Sequence, residues 1–481
     1  MRVQRASTGQ ILTLSESSLL GAGGEARIYT LPEEPSLVAK IWHKPTAERA
    51  AKLRAMLANP PIDPMAAQSH ISIAWPSELV HGLDRKQTVA GFLMPYVEGL
   101  HPIIDFFNPK TRREKCPLFN YFYLHRTARN LAIAVRALHE RGYVIGDLNE
   151  SNVLVSETAL VTIVDTDSFQ VWDGANGKIY RCRVGKPEFT PAEMQGKKFG
   201  EINREPVQDL FGLAVLIFEM LMEGTHPFAG TYQGPGDAPP YEQRISAGHF
   251  PYSARKVPYG PKPIAPRFTL LHPAIQQLFI RAFEDGHQFP AARPDTQSWQ
   301  YALEEAENTL VSCWVNPQHV YSAHESSCPW CERTKLLGGR DPFPSLEAVR
   351  KGDHLKKAQP PKTRVPEPVV VDPPVPRRIP KSQSIPGSTA KKRGFAQLTH
   401  NRNDWAWLGL FTGIIAYPVG LWVATFGFLL GVAATIMGVQ GEVEARSWMV
   451  DGAGQRAARL AIALGLIAGV WFYLRSRVPG L

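Results

Sequence analysis

Three polar residues separated by short apolar runs form the part of the sequence best suited to chemistry. Asp147 lies in a turn, Asn152 follows five residues later, and Asp165 comes directly after the second of two apolar runs, at 153–155 and 160–164. A carboxylate can position an alcohol and accept its proton, while an amide oxygen and a second carboxylate can hold Mg²⁺ on nucleotide phosphates. The pattern therefore predicts phosphoryl transfer from ATP, with Asp147 as base and Asn152 and Asp165 as magnesium ligands.

Two features upstream could hold the phosphates of such a nucleotide. The segment 11–30 predicts a strand, a glycine-rich turn at Gly21–Gly24 and a second strand. Glycine lets the backbone approach phosphate oxygens because it has no Cβ. Lys40 follows within the apolar run 37–42. Taken alone it would be an edge residue whose ammonium reaches solvent, but behind a glycine turn it is placed to bind the α and β phosphates.

A helix predicted at 46–57 supplies the acid that could pair with Lys40. Thr46 is a suitable N-cap, and Glu48 is the acidic residue of this segment. An ion pair between Glu48 and Lys40 would hold the lysine in place for the phosphates. The alternative is that Glu48, which lies in the first turn, only interacts favourably with the positive end of the helix.

These motifs resemble, in the same order, those of the protein kinase family over residues 11–310. The chain is similar to the bacterial, membrane-anchored branch of the eukaryotic-like (Hanks-type) Ser/Thr kinases. The resemblance implies an α+β, two-lobed fold, with a five-stranded small lobe at 1–97 and a large lobe at 98–310. It also implies transfer of the γ-phosphoryl group of ATP to Ser/Thr hydroxyls with Mg²⁺ or Mn²⁺, in signalling. The matching positions are Gly21, Gly23, Gly24 and Ile28 of the glycine loop, Lys40 of the next strand, and Asp147, Asn152 and Asp165 of the catalytic and metal-binding segments.

The resemblance assigns roles outside the catalytic loop as well. In the linker between the lobes, the carbonyl of Pro95 and the N–H of Val97 would face the adenine edge. Glu193, at the end of a stretch similar to an activation segment, would pair with Arg293. Asp209 begins a helix that is apolar nearly all round, as expected for a buried helix, and would hold the catalytic-loop backbone.

Four positions depart from the family pattern. Ile145 and Gly146 replace the histidine and arginine before the catalytic aspartate, and Asn149 replaces the lysine two residues after it. Asp167 stands where the family has glycine, as a second metal ligand or as a turn carboxylate. Loss of the lysine removes a charge that would neutralise the transferring phosphate. Two alternatives therefore stay open: a nucleotide-binding pseudokinase that acts as a membrane scaffold, and a small-molecule phosphotransferase.

A second set of residues has the spacing of a structural zinc site. Cys328 and Cys331 form a Cys-x₂-Cys knuckle, and Cys313 and His319 precede it. Three thiolates and one imidazole complete the tetrahedral set that closed, structural Zn²⁺ sites use. His324 is the alternative to His319 as the fourth ligand. Unligated thiols in a loop are the other interpretation.

The net charge of +9 is concentrated in one segment rather than spread over the chain. Residues 336–403 hold 14 Lys and Arg against 5 Asp and Glu, and nine prolines fall between positions 359 and 387. This composition predicts an extended, disordered linker. Because the rest of the chain is close to neutral, nucleic-acid binding is not expected. The basic run could be attracted to anionic membrane lipid.

The segment 404–475 is predicted to be a membrane region of two or three helices that follows the zinc element at 311–335 and the linker. Residues 405–440 carry no charge and are too long for one straight span, so a break is expected at 418–420. The basic cluster at 391–393 places the kinase-like part on the cytoplasmic side of a multi-pass membrane protein. Five cysteines, an odd number, also favour a reducing compartment. Protein substrates are not identified by the sequence, and the resemblance makes a PP2C-type phosphatase a candidate partner.

Overall fold

Residues 1–356 are described by the structure, which is a computed structural model. The membrane region predicted at 404–475, the basic cluster at 391–393 and most of the predicted linker lie outside the described residues. Among residues 1–356, no helix combines the length and apolar character needed to cross a bilayer. The predicted α+β organisation in two lobes is present in this part of the chain.

An antiparallel sheet of seven strands forms the small lobe, where five strands were predicted. The extra pair is an N-terminal hairpin whose first strand pairs with the sixth strand in chain order, so that Val3 lies opposite Gly82. Val3 and Leu12 are the buried residues of this hairpin. Single apolar residues in such short strands give no alternation to detect, which explains why the prediction was wrong. The strands, in chain order, are β1 (Arg2–Arg5), β2 (Ile11–Thr13), β3 (Leu19–Ala22), β4 (Ala26–Thr30), β5 (Leu37–Trp42), β6 (Glu78–Gly82) and β7 (Val89–Pro95).

Helix α1 (Ala47–Ala58) contacts β7 of this sheet and β11 (Val171–Asp173) of the large lobe. The Thr46 hydroxyl caps it by accepting a hydrogen bond from the Arg49 N–H at 3.1 Å. The side chains of Ala50, Leu53 and Met56, three residues apart, form its buried face. This stripe is what holds a short helix against a sheet, since helical propensity alone contributes little at this length.

The segment 71–77, which precedes β6, forms contacts with the large lobe. The Asp63 carboxylate accepts hydrogen bonds from the N–H groups of Ser72 and Ile73, at 2.7 and 3.3 Å. Ile73 forms a parallel bridge with Ile163. The Ala74 N–H donates to the Ile163 carbonyl and the Ile163 N–H donates to the Ser72 carbonyl, both at 2.9 Å. The two lobes are therefore joined by backbone hydrogen bonds at this point.

The large lobe is built around two long helices, α4 and α5, which contact each other in its core. Leu124, Leu131 and Leu138 repeat every seven residues along the buried face of α4, and α5 is buried from Asp209 to Leu221. The elements are β8 (His101–Pro102), α2 (Ile104–Phe107), α3 (Pro109–Lys115), α4 (Tyr121–His139), β9 (Val153–Val155), β10 (Val161–Ile163), β11 (Val171–Asp173), β12 (Lys178–Tyr180), α5 (Pro206–Leu221), β13 (Thr231–Tyr232), α6 (Tyr241–Ser246), β14 (Tyr259–Gly260), α7 (Pro273–Ile280), α8 (Gly286–Gln288) and α9 (Thr296–Asn308). The described residues of this lobe also form a three-stranded antiparallel sheet, β10-β9-β8, and the antiparallel strand pairs β11-β12 and β13-β14.

The cysteine-rich element continues the large lobe rather than standing apart from it. Trp330 is fully buried, with its ring 4.8 Å from that of Tyr121 and 4.7 Å from that of Phe343. The prediction that a disordered linker begins at residue 336 is therefore wrong for residues 336–356, which are folded. Charge and proline content could not show that Phe343 completes a core. The elements of this part are β15 (Leu310–Ser312), β16 (Val320–Ser322), α10 (Pro329–Leu336) and α11 (Leu346–Arg350).

Truncating Trp330 should destabilise the whole large lobe. We expect Trp330→Ala to lower the free energy of unfolding by about 3–5 kcal/mol, because a buried tryptophan ring and its hydrogen bond to the Val320 carbonyl are lost. Trp314→Ala is the matched control, since Trp314 is fully exposed, and should change stability by less than about 0.5 kcal/mol. Urea unfolding followed by circular dichroism measures both. Equal effects would contradict the packing described here.

Candidate active site

The turn between α4 and β9 brings Asp147, Asn149 and Asn152 into direct contact. The Asn149 amide donates to Asp147 Oδ1 at 2.8 Å and to the Asp147 carbonyl at 3.0 Å. The Asn152 amide donates to the same carbonyl at 2.9 Å and lies 3.4 Å from Asp147 Oδ2. Because the amide nitrogen of Asn152 faces Asp147, its oxygen is the atom left to bind a cation. The Asp147 carboxylate is oriented through one of its two oxygens.

Asp165 lies where the chain leaves β10, next to this turn. The Val164 N–H donates to the Asn152 carbonyl at 3.0 Å, which ties the end of β10 to the catalytic turn. Asp165 has a positive φ of 58° and begins the 3₁₀ turn Thr166–Ser168. A non-glycine residue rarely adopts this conformation, and such strain is often found at functional sites.

Lys40 on β5 is held between two carboxylates of the large lobe. Its Nζ lies 2.6 Å from Asp165 Oδ1 and 2.5 Å from Asp167 Oδ1. Burial opposes the charged form of Lys40, but attraction to Asp167 and Asp165 outweighs it and raises the pKa of the lysine to about 12. Burial raises the pKa of Asp165, and the charge of Lys40 partly offsets this effect. The lysine is therefore a permanent cation in the site.

Glu48 does not pair with Lys40, and that prediction was wrong. Its carboxylate instead contacts Arg183 at 2.9 Å and Lys178 at 3.8 Å on the outer side of α1. The residue of α1 that faces the site is Lys52, whose Nζ donates to the Asp167 carbonyl at 2.6 Å. Burial lowers the pKa of Lys52 to about 8, although attraction to Asp167 opposes this shift. Asp165 and Asp167 are the acids that compensate Lys40.

The glycine turn lies between β3 and β4, next to the strand that carries Lys40. The Gly23 N–H donates to the Ala26 carbonyl at 2.9 Å and closes the turn. A Cβ built on Gly21 or Gly24 would have no heavy atom within 4 Å, so the turn borders open space. Ile28 on β4 lies directly opposite Lys40 on β5. The arrangement leaves room for phosphate groups above the lysine.

The chain passes from the small lobe to the large lobe after β7, at Pro95. The Tyr96 N–H donates to the Ser36 carbonyl at 2.8 Å, which anchors the linker to the sheet. Within residues 1–356, the N–H of Val97 meets no protein acceptor. That N–H can therefore serve a ligand, as the comparison with the kinase linker suggests, and Pro95 loses nothing by lacking a donor.

The catalytic turn is held from below by α5. Asp209 accepts hydrogen bonds from the N–H groups of Ile145 and Gly146, both at 2.8 Å, and its carboxylate is buried. Nearby, Arg293 forms a bidentate ion pair with Glu193, in which Nη1 lies 2.6 Å from Oε1 and Nη2 lies 2.7 Å from Oε2. Because one buried carboxylate accepts both backbone hydrogen bonds, it holds the turn more rigidly than water would hold a solvated loop.

The comparison with known proteins decides the family. The chain is 36% identical over 332 residues to the protein kinase YegI of Escherichia coli strain K12, which covers 68% of this chain and 49% of that protein. The values for the protein kinase YegI of E. coli O157:H7 are the same. The chain belongs to the Hanks-type protein-kinase-like family. It spans about half the length of the YegI proteins that it matches.

More distant similarities involve other kinases. The kinase-like chain is 31% identical over 126 residues to a probable cAMP-dependent protein kinase catalytic subunit of Encephalitozoon cuniculi, over 26% of this chain and 35% of that protein. Among solved structures, the ROP18 kinase domain in complex with AMP-PNP and sucrose superposes with a TM-score of 0.41 at 19% identity, over 63% of this chain and 82% of that one. No family model matches the chain.

Arg204 is a site residue of this kinase-like protein that the sequence analysis missed. Its guanidinium binds the carbonyls of Gly146 and Val184, the latter at 2.6 Å, and lies 3.8 Å from the Phe199 ring centre. It occupies the space beside Gly146, the position at which the family carries arginine. The available signal was the glycine itself, since a missing side chain next to Asp147, the candidate base, leaves space that another group can fill.

The segment that follows the site is linked to the catalytic turn a second time through Lys186. Its Nζ contacts Glu150 Oε1 at 2.8 Å and Ser151 Oγ at 2.6 Å. Together with Arg204, this contact holds residues 183–186 against the catalytic turn. The segment is therefore ordered by cations of the chain itself.

The four residues predicted to bind zinc lie together. Cys331 Sγ is 3.7 Å from Cys313 Sγ and 3.4 Å from His319 Nδ1, and Cys328 Sγ is 3.6 Å from the same nitrogen. The opposite ring nitrogen of His319 lies 2.8 Å from Asp341 Oδ1, an arrangement that orients metal-binding histidines. His324 faces away, towards Ser322 and the Thr269 carbonyl. The donors of His319 and the three thiols fit one tetrahedral cation.

A side chain at position 146 should disrupt the catalytic turn. Gly146 has a φ of 73°, and a Cβ there would lie 2.7 Å from Arg204 Nη1 and 2.8 Å from Cys182 Cβ. Gly142 also has a positive φ but borders open space, so it reports the backbone strain alone, about 1–2 kcal/mol. We expect Gly146→Ala to cost about 1–3 kcal/mol more than Gly142→Ala. Thermal unfolding of the two variants measures the difference, and equal costs would disprove the steric argument.

Proposed function

We propose that this protein is an ATP-dependent protein kinase that transfers the γ-phosphoryl group to Ser or Thr hydroxyls. The observation that carries the proposal is the convergence of Lys40, Asp165, Asn152 and Asp147 at the junction of the two lobes. Lys40 contacts Asp165, the end of β10 is bonded to Asn152, and Asn152 is bonded to Asp147. These are the groups that phosphoryl transfer requires, and they come from both lobes.

The donor set fits a magnesium nucleotide. Asp165 and Asn152 offer a carboxylate and an amide oxygen, which Mg²⁺ prefers over nitrogen or sulfur. A divalent cation held there would neutralise phosphate charge. Lys40 is a permanent cation and would bind the α and β phosphates beside the open glycine turn. The linker N–H of Val97 is free to donate to the adenine edge.

Asp147 is the residue that would handle the proton of the acceptor alcohol. Its Oδ1 is fixed by the Asn149 amide, whereas the 3.4 Å contact to Oδ2 is too long to occupy that oxygen fully. The free lone pairs of Oδ2 can orient a hydroxyl and accept its proton as the phosphoryl group departs. Asp209 maintains the position of this carboxylate through the turn backbone.

A protein substrate is favoured over a small molecule by the segment that ends at Glu193. The ion pair with Arg293, together with Lys186 and Arg204, holds this segment in one conformation beside the catalytic turn. A fixed extended surface next to the base suits a peptide chain better than a small alcohol. Ser/Thr specificity, rather than a broader hydroxyl specificity, is part of this proposal.

One observation favours the pseudokinase as a second candidate. Asn149 is buried and its amide donates to Asp147. No charged side chain at this position therefore neutralises the transferring phosphate. A nucleotide-binding scaffold would have the same Lys40 and Asp165 geometry without turnover. The activity of the Asp147 variant separates the two candidates.

Membrane attachment belongs to the same proposal. The uncharged run 405–440 and the apolar run 460–474 support a C-terminal anchor of two or three spans. The basic cluster at 391–393 supports a cytoplasmic position for the kinase-like part and contact with anionic lipid. A PP2C-type phosphatase that reverses the modification is a candidate partner.

Replacing the base should abolish turnover without affecting the fold. We expect Asp147→Asn to lower the rate of phosphoryl transfer from radiolabelled ATP by about 10²–10⁴-fold, measured with purified full-length protein and a panel of protein acceptors. Asp237→Asn is the control, since Asp237 is exposed and distant in sequence from the site. Wild-type incorporation no greater than that of Asp147→Asn would favour the pseudokinase. Turnover stimulated by sugars or alcohols, but never by protein, would favour the small-molecule enzyme.

We further propose that Cys313, His319, Cys328 and Cys331 hold a structural Zn²⁺. Four protein donors leave no position for water or substrate, so the ion would have no catalytic role. The Asp341 carboxylate would raise the basicity of His319 through the opposite ring nitrogen. Such an ion would stabilise the hairpin β15–β16 and helix α10, which carry the ligands.

Metal analysis tests this assignment directly. We expect about one zinc per chain in wild-type protein, because closed Cys₃His sites bind zinc tightly. Cys328→Ser should lose the metal, whereas Cys182→Ser, which removes a buried thiol outside the cluster, should retain it. Inductively coupled plasma mass spectrometry gives the content of each. Folded, metal-free wild-type protein would refute the zinc site.

A further inference from the structure

The charges around the catalytic lysine are arranged in an unexpected way. Lys40 contacts two carboxylates, Asp165 and Asp167, that belong to the same 3₁₀ turn of the large lobe. Helix α1, which follows the lysine strand in the chain, contributes no carboxylate to Lys40. The acid of this helix, Glu48, is half-exposed and bonded to Arg183.

The residue of α1 directed at the site carries the opposite charge. Lys52 Nζ donates to the backbone carbonyl of Asp167 at 2.6 Å. The contact holds the turn so that the Asp167 side chain, 14% exposed, points at Lys40. Two buried ammonium groups, Lys40 and Lys52, are thus arranged about one residue. An isolated buried cation is costly, so each needs the acceptor that this turn provides.

We propose that Asp167 is the residue that positions Lys40, and that Lys52 in turn positions Asp167. The acid that pairs with Lys40 therefore lies on the turn after β10, and helix α1 contributes a lysine to the site instead of an acid. This inference rests on the proposed function in one respect, namely that Lys40 faces nucleotide phosphates. It adds a positioning pair that the family pattern, with glycine at position 167, does not contain.

An acid at position 167 has a physical advantage for Lys40, because the other partner of the lysine, Asp165, is also the proposed cation ligand. Asp165 is the carboxylate available to a divalent cation, and a cation would compete with Lys40 for its oxygens. Asp167 stays with the lysine when Asp165 turns to the cation, so Lys40 keeps a partner throughout. The coupling between α1 and the site then passes through Lys52 and the backbone of residue 167, rather than through a direct ion pair.

Direct measurement of nucleotide binding tests the proposal on the full-length protein. We expect Asp167→Asn, which is nearly isosteric, to weaken MgATP binding by roughly 10-fold in calorimetry, because the lysine loses one charged partner. Lys52→Met should weaken binding in the same direction, and Lys52→Arg should retain it. Asp237→Asn and Lys44→Met, both at exposed positions, are the controls and should bind like wild type.

A double substitution separates an effect on the position of Lys40 from an effect on general stability. Lys52→Glu combined with Asp167→Asn moves the acid back to helix α1 and should recover MgATP affinity to within about threefold of wild type. Where transfer is measurable, Asp167→Asn should raise the KM for ATP and leave the KM for the protein acceptor unchanged. Thermal unfolding of each variant shows whether it is folded.

The outcomes are distinguishable from those of the activity assay. If wild type and the variants differ in MgATP affinity as expected, but wild type transfers no phosphate, the positioning pair is supported and the proposed kinase activity is rejected. Asp167→Asn that binds MgATP as tightly as wild type would overturn the pair whatever the activity. Absence of MgATP binding by wild-type protein would overturn it as well.

Discussion

The structure depends on one buried cation. Lys40 lies on a central strand of the small-lobe sheet, yet both of its carboxylate partners, Asp165 and Asp167, belong to the large lobe. An ammonium group withdrawn from water is tolerated only with close counter-charges. The position of the lysine therefore fixes the position of the turn after β10 relative to the sheet. The backbone bridge between Ile73 and Ile163 joins the lobes at a second point, so the site is assembled by contacts rather than by the linker alone.

The turn that carries the remaining site groups is positioned by side chains that pair with its backbone donors and acceptors. Asp209 accepts two N–H groups of the catalytic turn, and Arg204 covers two carbonyls. These contacts pair backbone groups of the turn that would cost free energy if they were buried without a partner. Gly146 is required because the guanidinium of Arg204 fills the volume that a Cβ would need. These contacts hold the turn without a ligand, and in the proposed kinase a base and cation ligands held in this way would reduce the entropy lost on reaching the transition state.

The types and order of the candidate catalytic residues were accessible from the sequence, because a turn, two short strands and a buried helix each leave a local pattern. Asp147, Asn152 and Asp165 follow one another within nineteen positions, so their proximity needs little tertiary information. The partner of Lys40 was not accessible, since the choice between Glu48 and Asp167 depends on which face of α1 turns inward. Arg204 was missed for the same reason, because its role exists only where residues 146, 184 and 199 meet. The N-terminal hairpin and the folding of 336–356 depend on single buried residues such as Val3 and Phe343, which no periodicity reveals.

Helix α5 connects the active site to the Cys₃His cluster. Its N-terminal turn carries Asp209, which holds the catalytic turn. Helix α5 has sixteen residues and is therefore roughly 24 Å long. Just beyond its C-terminal end, Glu223 is buried between Arg112 of α3 and Arg333 of α10. The cation of Arg112 also lies 4.3 Å from the Phe343 ring, so the ion pairs and the aromatic core of the cysteine-rich element form one unit. A buried ionic group is stable only when its geometry is held exactly in place, and a closed metal site would hold helix α10 in this way. A metal-bound cluster would thereby stabilise the far end of the helix whose first turn carries Asp209, which gives a physical reason for its packing on the large lobe.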